Sequence, residues 1–358
     1  MISKILAINP GSTSTKIAYF ENLNCISSKS LQHSAHELSS CGCVMGQYDL
    51  RRQAVYNYIK SVGIEQSNLS AIAGRGGLLR PLKGGTYKVN KAMLSDLRTG
   101  KYGEHASNLG AILAYDVAEP ENIPAYIINP VVVDEMWPVA RYSGLHSISR
   151  KSVFHALNHK SAAMRACVQI GKKYEEASLV VVHMGGGISV AAHLNGFVVD
   201  VNNALEEGAF SPERSGSLPV LQLAELCFTK GSTYSEVKKQ LVGKGGLVSY
   251  FGTSDCLEIS NMAASGDKEA ANVLEAMSYQ ISKEIGAYST VLRGKVDAIV
   301  LTGGLAHSSL ITDSIMEKVS FISQVVVFPG EDEMLAMAEG IQRVFDGIEP
   351  ELEYVPEL

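Results

Sequence analysis

The residues Ile5–Phe20, ILAINPGSTSTKIAYF, decide how the rest of the chain is read. An apolar run (Ile5, Leu6, Ala7, Ile8) meets Asn9-Pro10-Gly11. Four small hydroxyl residues, Ser12 to Thr15, and Lys16 follow, and then a second apolar run from Ile17 to Phe20. Short apolar runs broken by Asn-Pro-Gly predict two strands around a turn. The turn carries groups that donate to phosphate oxygens: backbone N–H groups opened by Gly11, several hydroxyls and an ammonium. It is not a Walker A loop, because no glycine precedes Lys16 and the following segment has the pattern of a strand rather than a helix. A plain Ser/Thr-rich hairpin is the alternative, and the remaining motifs decide between the two.

Composition narrows the field. A chain of 358 residues allows two or three domains, and with 46% hydrophobic and 19% charged residues it can bury two cores, so two are expected. A formal charge of −6 argues against nucleic acid or an anionic membrane as the main partner, yet leaves room for small anions held by a few arginines. The four apolar residues after Lys4 are too few for a secretory segment, and no run reaches the roughly 18 residues that span a bilayer, so a cytoplasmic protein is expected. The six cysteines lack zinc-site spacing and are expected to be reduced thiols.

Working outward, residues 25–50 are polar and irregular, and Arg51 to Val62 carries helical spacing. Ala71-Ile72-Ala73 reads as a strand running into Gly74-Arg75-Gly76-Gly77, where the glycines leave the guanidinium uncrowded. Lys83 to Asn90 predicts a turn and short strand, and Asn108 to Val117 a helix. Ala125 to Ile128 and Val131 to Val133 read as strands, the second delivering Asp134 at its C-terminal end. The chain changes character near Ser149. A helix carrying Val153, Phe154, Ala156 and Leu157 places His155 and His159 four residues apart. Leu179 to His183 is a buried strand, followed by Met184-Gly185-Gly186-Gly187, a strand to His193, a turn at Asn195-Gly196 and a strand to Val201. This repeats the first plan of strand, glycine turn with hydroxyl, and strand. Ala298 to Leu301 ends on Thr302-Gly303-Gly304, Val325 to Phe328 ends on Pro329-Gly330, and a last helix spans about Glu333 to Phe345.

The glycine-bearing turns in this order, with Arg75, Asp134, His155 and Arg214 among them, resemble the acetate and propionate kinase family of the actin, Hsp70 and sugar-kinase superfamily. INPGSTSTK, GRGGLL, GEHASNLGAI, NPVVVDEM, FHALNHK, HMGGGIS, PERSG and LTGGLAH look like its butyrate and branched-chain fatty acid kinase branch. The resemblance covers essentially the whole chain. It implies an α/β fold of two ribonuclease H-like, actin-like ATPase lobes, with mixed five-stranded-type sheets flanked by helices. Residues 1–148 and the C-terminal 333–358 would form the acid-substrate lobe, and 149–332 the nucleotide-binding lobe. ATP and Mg²⁺ would be the cofactors, a short-chain carboxylic acid the substrate, and a homo-oligomer the assembly, with no nucleic acid or membrane partner.

Such kinases pass the γ-phosphoryl of ATP to a carboxylate that is already ionised at neutral pH, so no general base is needed. The site must supply position and positive charge. By similarity, Arg75 and Arg214 hold the carboxylate and the phosphoryl in flight, His155 donates to the phosphoryl, and Asp134 orients Arg75. Ser12, Ser14 and Lys16 would line the first phosphate turn. His183 with Gly185, Gly186 and Gly187 would form the second, and Gly303 and Gly304 would let adenosine approach. Asn9 and Glu333 match positions that hold Mg²⁺, with Glu331 a near neighbour. The His155/His159 spacing lacks the glutamate of a zinc protease, and His159 is expected to be structural.

Two departures from the acetate kinase pattern are visible. Asp255-Cys256-Leu257 replaces Asp-x-Arg near the base, so Asp255 keeps its place while a polar contact is lost. Gly304-Leu305-Ala306-His307-Ser308 replaces Gly-Ile-Gly-Glu-Asn. Gly77 and Ala204 stand where a Val and a Pro close the acetate pocket, and Phe154 is kept. The expected substrate is therefore longer than acetate, butyrate or isobutyrate, each buried methylene being worth about 0.8 kcal/mol. Acetate or propionate is the nearer alternative. A sugar kinase using Asp134 as base, or a nucleotide-driven filament or chaperone ATPase, is the more distant one.

Overall fold

The Ile5–Phe20 stretch opens a sheet as an antiparallel pair, β1 (Lys4–Pro10) and β2 (Ser14–Glu21), with Ile5 opposite Phe20 and Ile8 opposite Ile17. The computed structural model describes residues 2–357. It forms two units. One runs up to Asp134 and resumes at Asp332; the other is Glu135–Glu331.

In the first unit β2 continues into β3 (Asn24–Gln32), and β4 (Ala71–Gly74), β5 (Thr86–Lys88), β6 (Ala125–Ile128) and a C-terminal strand Glu351–Glu353 complete a seven-stranded sheet. The pairs β1–β4 and β4–β6 are parallel, whereas β2–β3 and β5–β6 are antiparallel. Ile5, Leu6, Ala7 and Ile8 are all fully buried, which is why this strand reads as a continuous apolar run. The last helix, Glu333–Phe345, packs on β1, β4 and β6.

The second unit has a five-stranded sheet: β7 (Ser178–Met184), β8 (Ile188–Leu194), β9 (Phe197–Val201), β10 (Ala298–Gly303) and β11 (Val325–Pro329), in the order β11-β10-β7-β8-β9. β7–β8 and β8–β9 are antiparallel, and β10 runs parallel to β7 and β11. Val180, Val182 and Met184 face one core, with the long helix Lys268–Val291. Leu179 and Val181 face another, with the helix Ala156–Ile170. Asn195 and Gly196, at φ +52° and +86°, make the turn into β9 that their identities predict.

Several expectations need correction. The first sheet has seven strands, because β5 and the C-terminal strand extend a five-stranded arrangement at one edge. Residues 25–50 are not irregular: they hold most of β3 and a short helix, Ala35–Ser40. β3 is an edge strand with mostly exposed polar side chains, so it carries no apolar alternation. Val131–Val133 forms a turn and a single bridge from Val133 to Leu82 rather than a strand. The helix expected from Val153 begins at Ala156, with His155 as its N-cap. The units divide after Asp134, not after residue 148, because the intervening segment is tied into the second unit. Trp137 N–H bonds the Val199 carbonyl, and Glu135 pairs with the buried Lys160 at 2.9 Å.

Candidate functional site

In the first unit Arg75 immediately follows β4, and its N–H bonds the Ile8 carbonyl at 2.9 Å, prolonging the ladder to β1. The glycines around it are packing devices. A Cβ on Gly74 would lie 2.3 Å from the Gly110 carbonyl oxygen, and one on Gly110 would lie 2.2 Å from that of Arg75. The helix Asn108–Ala118 can therefore rest its backbone directly on the strand end and hold it rigidly. Gly77 has the same explanation: its Cβ would meet Asn108 Cα at 2.5 Å and Oδ1 at 2.6 Å. It is not a pocket wall trimmed to make room, which corrects the reading of Gly77 as acyl space.

Arg75 is 7% exposed, and its Nη2 lies 3.1 Å from Glu333 Oε1. Glu333 Oε2 accepts from Asn9 Nδ2 at 2.6 Å. Arg75 thus pairs with Glu333 and not with Asp134, whose N–H bonds the Leu82 carbonyl. Arg75 Nη1 is the one buried side-chain nitrogen or oxygen among the described residues without a hydrogen-bond partner. Leaving such a donor bare costs about 1–3 kcal/mol, so a native site keeps it for a reason. An anion is its natural partner. His105 is held below the usual imidazole range by burial and then by the Arg75 charge, and its Nδ1 bonds Ser107 Oγ at 2.8 Å. Sequence reading passed over this neutral neighbour within GEHAS.

Asn9 and Glu333 present hard oxygen donors within one hydrogen bond of each other, and no cluster of three or more His, Cys, Asp or Glu occurs among the described residues. That donor set suits Mg²⁺, which takes one or two protein carboxylates and keeps waters and phosphate oxygens for the rest. Lys16 lies opposite Asn9 in the ladder, exposed, with Ser12 exposed and Ser14 half-buried at the turn. Behind that turn sits a residue that sequence reading did not single out, the fully buried Arg51.

In the second unit β7 and β8 are joined by Gly185–Gly187, with Gly185 N–H bonded to the Gly187 carbonyl at 3.0 Å. The Arg214 guanidinium lies across this turn: a Cβ on Gly187 would stand 2.0 Å from its Nη1. Arg214 Nη1 donates to the Ala204 carbonyl at 2.8 Å. The PERSG loop is tied to the same turn by Ser211 Oγ and Glu213 N–H, both bonded to the Gly186 carbonyl. Burial lowers the Arg214 pKa and the Glu213 charge works against that, so the guanidinium is poorly solvated and still charged. Phe154 is buried with its ring edge-on to His159, 5.2 Å between centroids. Ala204 N–H bonds the Val153 carbonyl. Phe154, Ala204 and Arg214 are therefore connected.

His155 stacks on His183 at 3.8 Å, and His183 Nε2 lies 3.2 Å from Glu331 Oε1. The two nearby glutamates thus divide, Glu333 to Arg75 and Glu331 to His183. From His155 a chain of hydrogen bonds leads inward: Nδ1 to Ser189 Oγ at 3.0 Å, Ser189 Oγ to His159 Nε2 at 2.7 Å, His159 Nδ1 to His193 Nε2 at 3.4 Å, and His193 Nδ1 to Tyr174 OH at 2.8 Å. Burial drives both His159 and His193 well below the ordinary imidazole range, with neighbouring His and Lys160 charges adding to it. Both stay neutral, and each ring offers one donor and one acceptor. His159, expected to be merely structural, is a link that orients His155. The signal available was only its i, i+4 spacing; both partners, Ser189 and His193, come from β8.

Gly303 and Gly330 exchange backbone hydrogen bonds at 3.1 and 3.0 Å. Gly303 has φ +93° and no space for a side chain against Met184, whereas Gly304 faces open space. Asp255 has a local duty: its Oδ1 accepts from Leu257 and Glu258 N–H and caps the helix Cys256–Ala264. Among the described residues no helix is long and apolar enough to cross a membrane.

Residues 137–328 match the acetokinase family. Among solved structures, the chain is similar to Porphyromonas gingivalis acetate kinase at 19% identity, with 96% of this chain and 100% of that one covered and a TM-score of 0.79. Entamoeba histolytica acetate kinase gives 16% identity, 95% and 99% coverage and a TM-score of 0.73. A propionate kinase from Francisella tularensis gives 20% identity, 94% and 98% coverage and a TM-score of 0.72. At these identities the likeness speaks for the fold: two lobes of mixed sheet flanked by helices. The family match spans more than half of the chain, and the chain accordingly belongs to the acetokinase family, whose members are ATP-dependent kinases of short-chain carboxylates.

Proposed function

We propose that this enzyme transfers the γ-phosphoryl group of ATP to butyrate or a branched analogue such as isobutyrate. A carboxylate oxygen forms a bond to γ-phosphorus as the bond to the ADP oxygen breaks, giving acyl phosphate and ADP. No proton has to move, so no base is required. The observation that carries the reading is the bare, buried Arg75 Nη1 beside the Glu333–Asn9 pair, a donor waiting for an anion. Arg75 would hold the carboxylate, while Arg214 and His155 would donate to the phosphoryl oxygens as their charge grows. Mg²⁺, held through Glu333 and Asn9, would neutralise phosphate charge when bound. The first unit would be the acid-substrate side and the second the nucleotide side, with Gly185 to Gly187, Gly303 and Gly304 admitting ATP closely.

The finer fold reading is that both lobes are ribonuclease H-like. It is supported by the shared order β3-β2-β1-β4-β6 and β9-β8-β7-β10-β11, each with an antiparallel meander and then parallel strands. The preference for a four-carbon acid now rests on Ala204 and Phe154 alone. The Asn108 backbone against Gly77 favours a second reading, propionate or acetate. An acyl-hydroxamate assay with MgATP across acetate to valerate, beside an ADP-release assay with glucose as control acceptor, decides. The proposal expects kcat/KM to peak at four carbons. An acetate optimum removes the chain-length assignment, and glucose phosphorylation without acyl phosphate overturns the reading altogether.

A further inference from the structure

Arg51 heads the fully buried side chains of the described residues by volume. It rises from the helix Tyr48–Val62 to the underside of the β1–β2 turn. Its five hydrogen bonds all go to neutral oxygens: Nε and Nη2 to Gln47 Oε1 at 3.1 and 2.9 Å, Nη1 to the Ser14 carbonyl at 2.9 Å and Thr15 Oγ1 at 3.0 Å, and Nη2 to the Gly11 carbonyl at 2.8 Å. Among the described residues no carboxylate pairs with it. A buried cation without a counter-charge is costly.

The turn itself supplies an independent observation. The carbonyls of Gly11 and Ser14 point inward to Arg51, and that of Thr13 accepts from His33 N–H at 2.8 Å. The exposed Ser12 and Thr13 direct their own N–H groups to no protein acceptor among the described residues. His33 Nε2 bonds Thr15 Oγ1 at 2.8 Å, and burial and then the Arg51 charge, against the opposing pull of Glu37, lower the pKa of this imidazole. Arg51 is therefore the basic group that bonds the turn carbonyls directly, with no carboxylate paired to it among the described residues.

We propose that Arg51 is the positioning residue of this hairpin: it draws the flanking carbonyls inward, leaves the Ser12 and Thr13 N–H groups facing out, and fixes positive charge beneath the place where phosphate oxygens bind. The identity of that anion rests on the phosphoryl-transfer reading above; the arrangement of the turn does not.

Gln47→Glu separates this role from a purely structural one. It keeps every Arg51 hydrogen bond but sets a carboxylate against the guanidinium. The melting temperature without ligand should stay level or rise. The rise in melting temperature on adding inorganic tripolyphosphate should shrink, and kcat/KM for MgATP should fall about 10-fold or more, the scale of one charge removed at short range in a partly buried site. Arg51→Lys, which retains charge with fewer bonds, should keep more of the tripolyphosphate shift than Arg51→Gln. Wild-type kcat/KM and an unchanged shift in Gln47→Glu, equal loss in the Lys and Gln variants, or no shift in the wild type would each overturn the proposal. If the wild type phosphorylates no acid, the transfer reading fails, and the tripolyphosphate shifts still decide the role of Arg51.

Discussion

In the β1–β2 hairpin a buried guanidinium supports the turn from behind. In the β7–β8 hairpin the Ser189 hydroxyl behind the turn bonds the buried, neutral imidazole of His159, and the cation, Arg214, lies across Gly187. On the phosphoryl-transfer proposal, two turns with one strand plan would approach the same chemical task differently. The first has carbonyls pulled inward and hydroxyls outside. The second has three consecutive glycines, one of them covered by an arginine, and a histidine held in place by a neutral relay. A charge placed behind a turn acts on whatever anion settles there. A guanidinium laid across a turn can follow one group through a reaction. The contrast suggests a first hairpin that anchors and a second that takes part in transfer.

The largest expected effect falls on the arginines. Arg75→Ala should lower kcat by about 10³ and also weaken acid binding, while Arg214→Ala should lower kcat by about 10²–10³ with little change in ATP affinity, measured by steady-state kinetics beside calorimetric titration. Collapse of ATP affinity at near-normal kcat in Arg214→Ala would reverse the roles drawn above. Glycine substitutions test the contrast directly. A Cβ at Gly11 meets nothing nearer than Ser14 at 3.6 Å, but one at Gly187 displaces Arg214. Gly11→Ala should therefore cost only a few-fold in kcat and Gly187→Ala about 10². Equal losses would erase the distinction between the hairpins.

A smaller change is expected at Ala204. Ala204→Val narrows the wall beside Phe154 and Arg214, and the ratio of kcat/KM for butyrate over acetate should drop roughly 10-fold, since one methylene discriminates by about 1–3 kcal/mol. An unchanged ratio would place acyl selectivity elsewhere.

The least visible effect, silent at pH 7.5, concerns stability. His159 and His193 have folded pKa values far below that of a free imidazole, so below about pH 6.5 the unfolded chain takes up protons that the folded chain refuses. Their contribution is complete above that pH and is lost as pH falls, by up to about 1.4 kcal/mol per pH unit for each ring. His33 and His105 shift in the same direction. Denaturant titrations from pH 8 to 5 should show this slope, and His193→Gln should reduce it by about one proton. A slope untouched by that variant would mean that His193 is charged within the fold.

Much of the architecture was legible because it is written in local patterns. Continuous apolar runs marked β1, β7 and β10, Asn195-Gly196 marked a turn, and the last helix has the bounds its residues suggested, Glu333–Phe345. What failed to show was whatever depends on a distant partner. β3 exists because β2 offers it an edge, and the five-stranded plan of the first sheet gains two strands whose paired residues, Thr86 and Glu351, are 265 positions apart in sequence.

The sequence by itself determined that a glycine-bearing hairpin opens each half and that Arg75 and Arg214 sit in small-residue frames. Residue type, spacing and turn chemistry are properties of neighbours along the chain. Only the tertiary structure decided that Glu333, 324 positions from Asn9, takes Arg75 as its partner; that Gly77 serves packing rather than substrate; and that His159 and Arg51 stand behind the reactive groups. Those are matters of burial and unmet hydrogen bonds, which arise when segments remote in sequence close off water together.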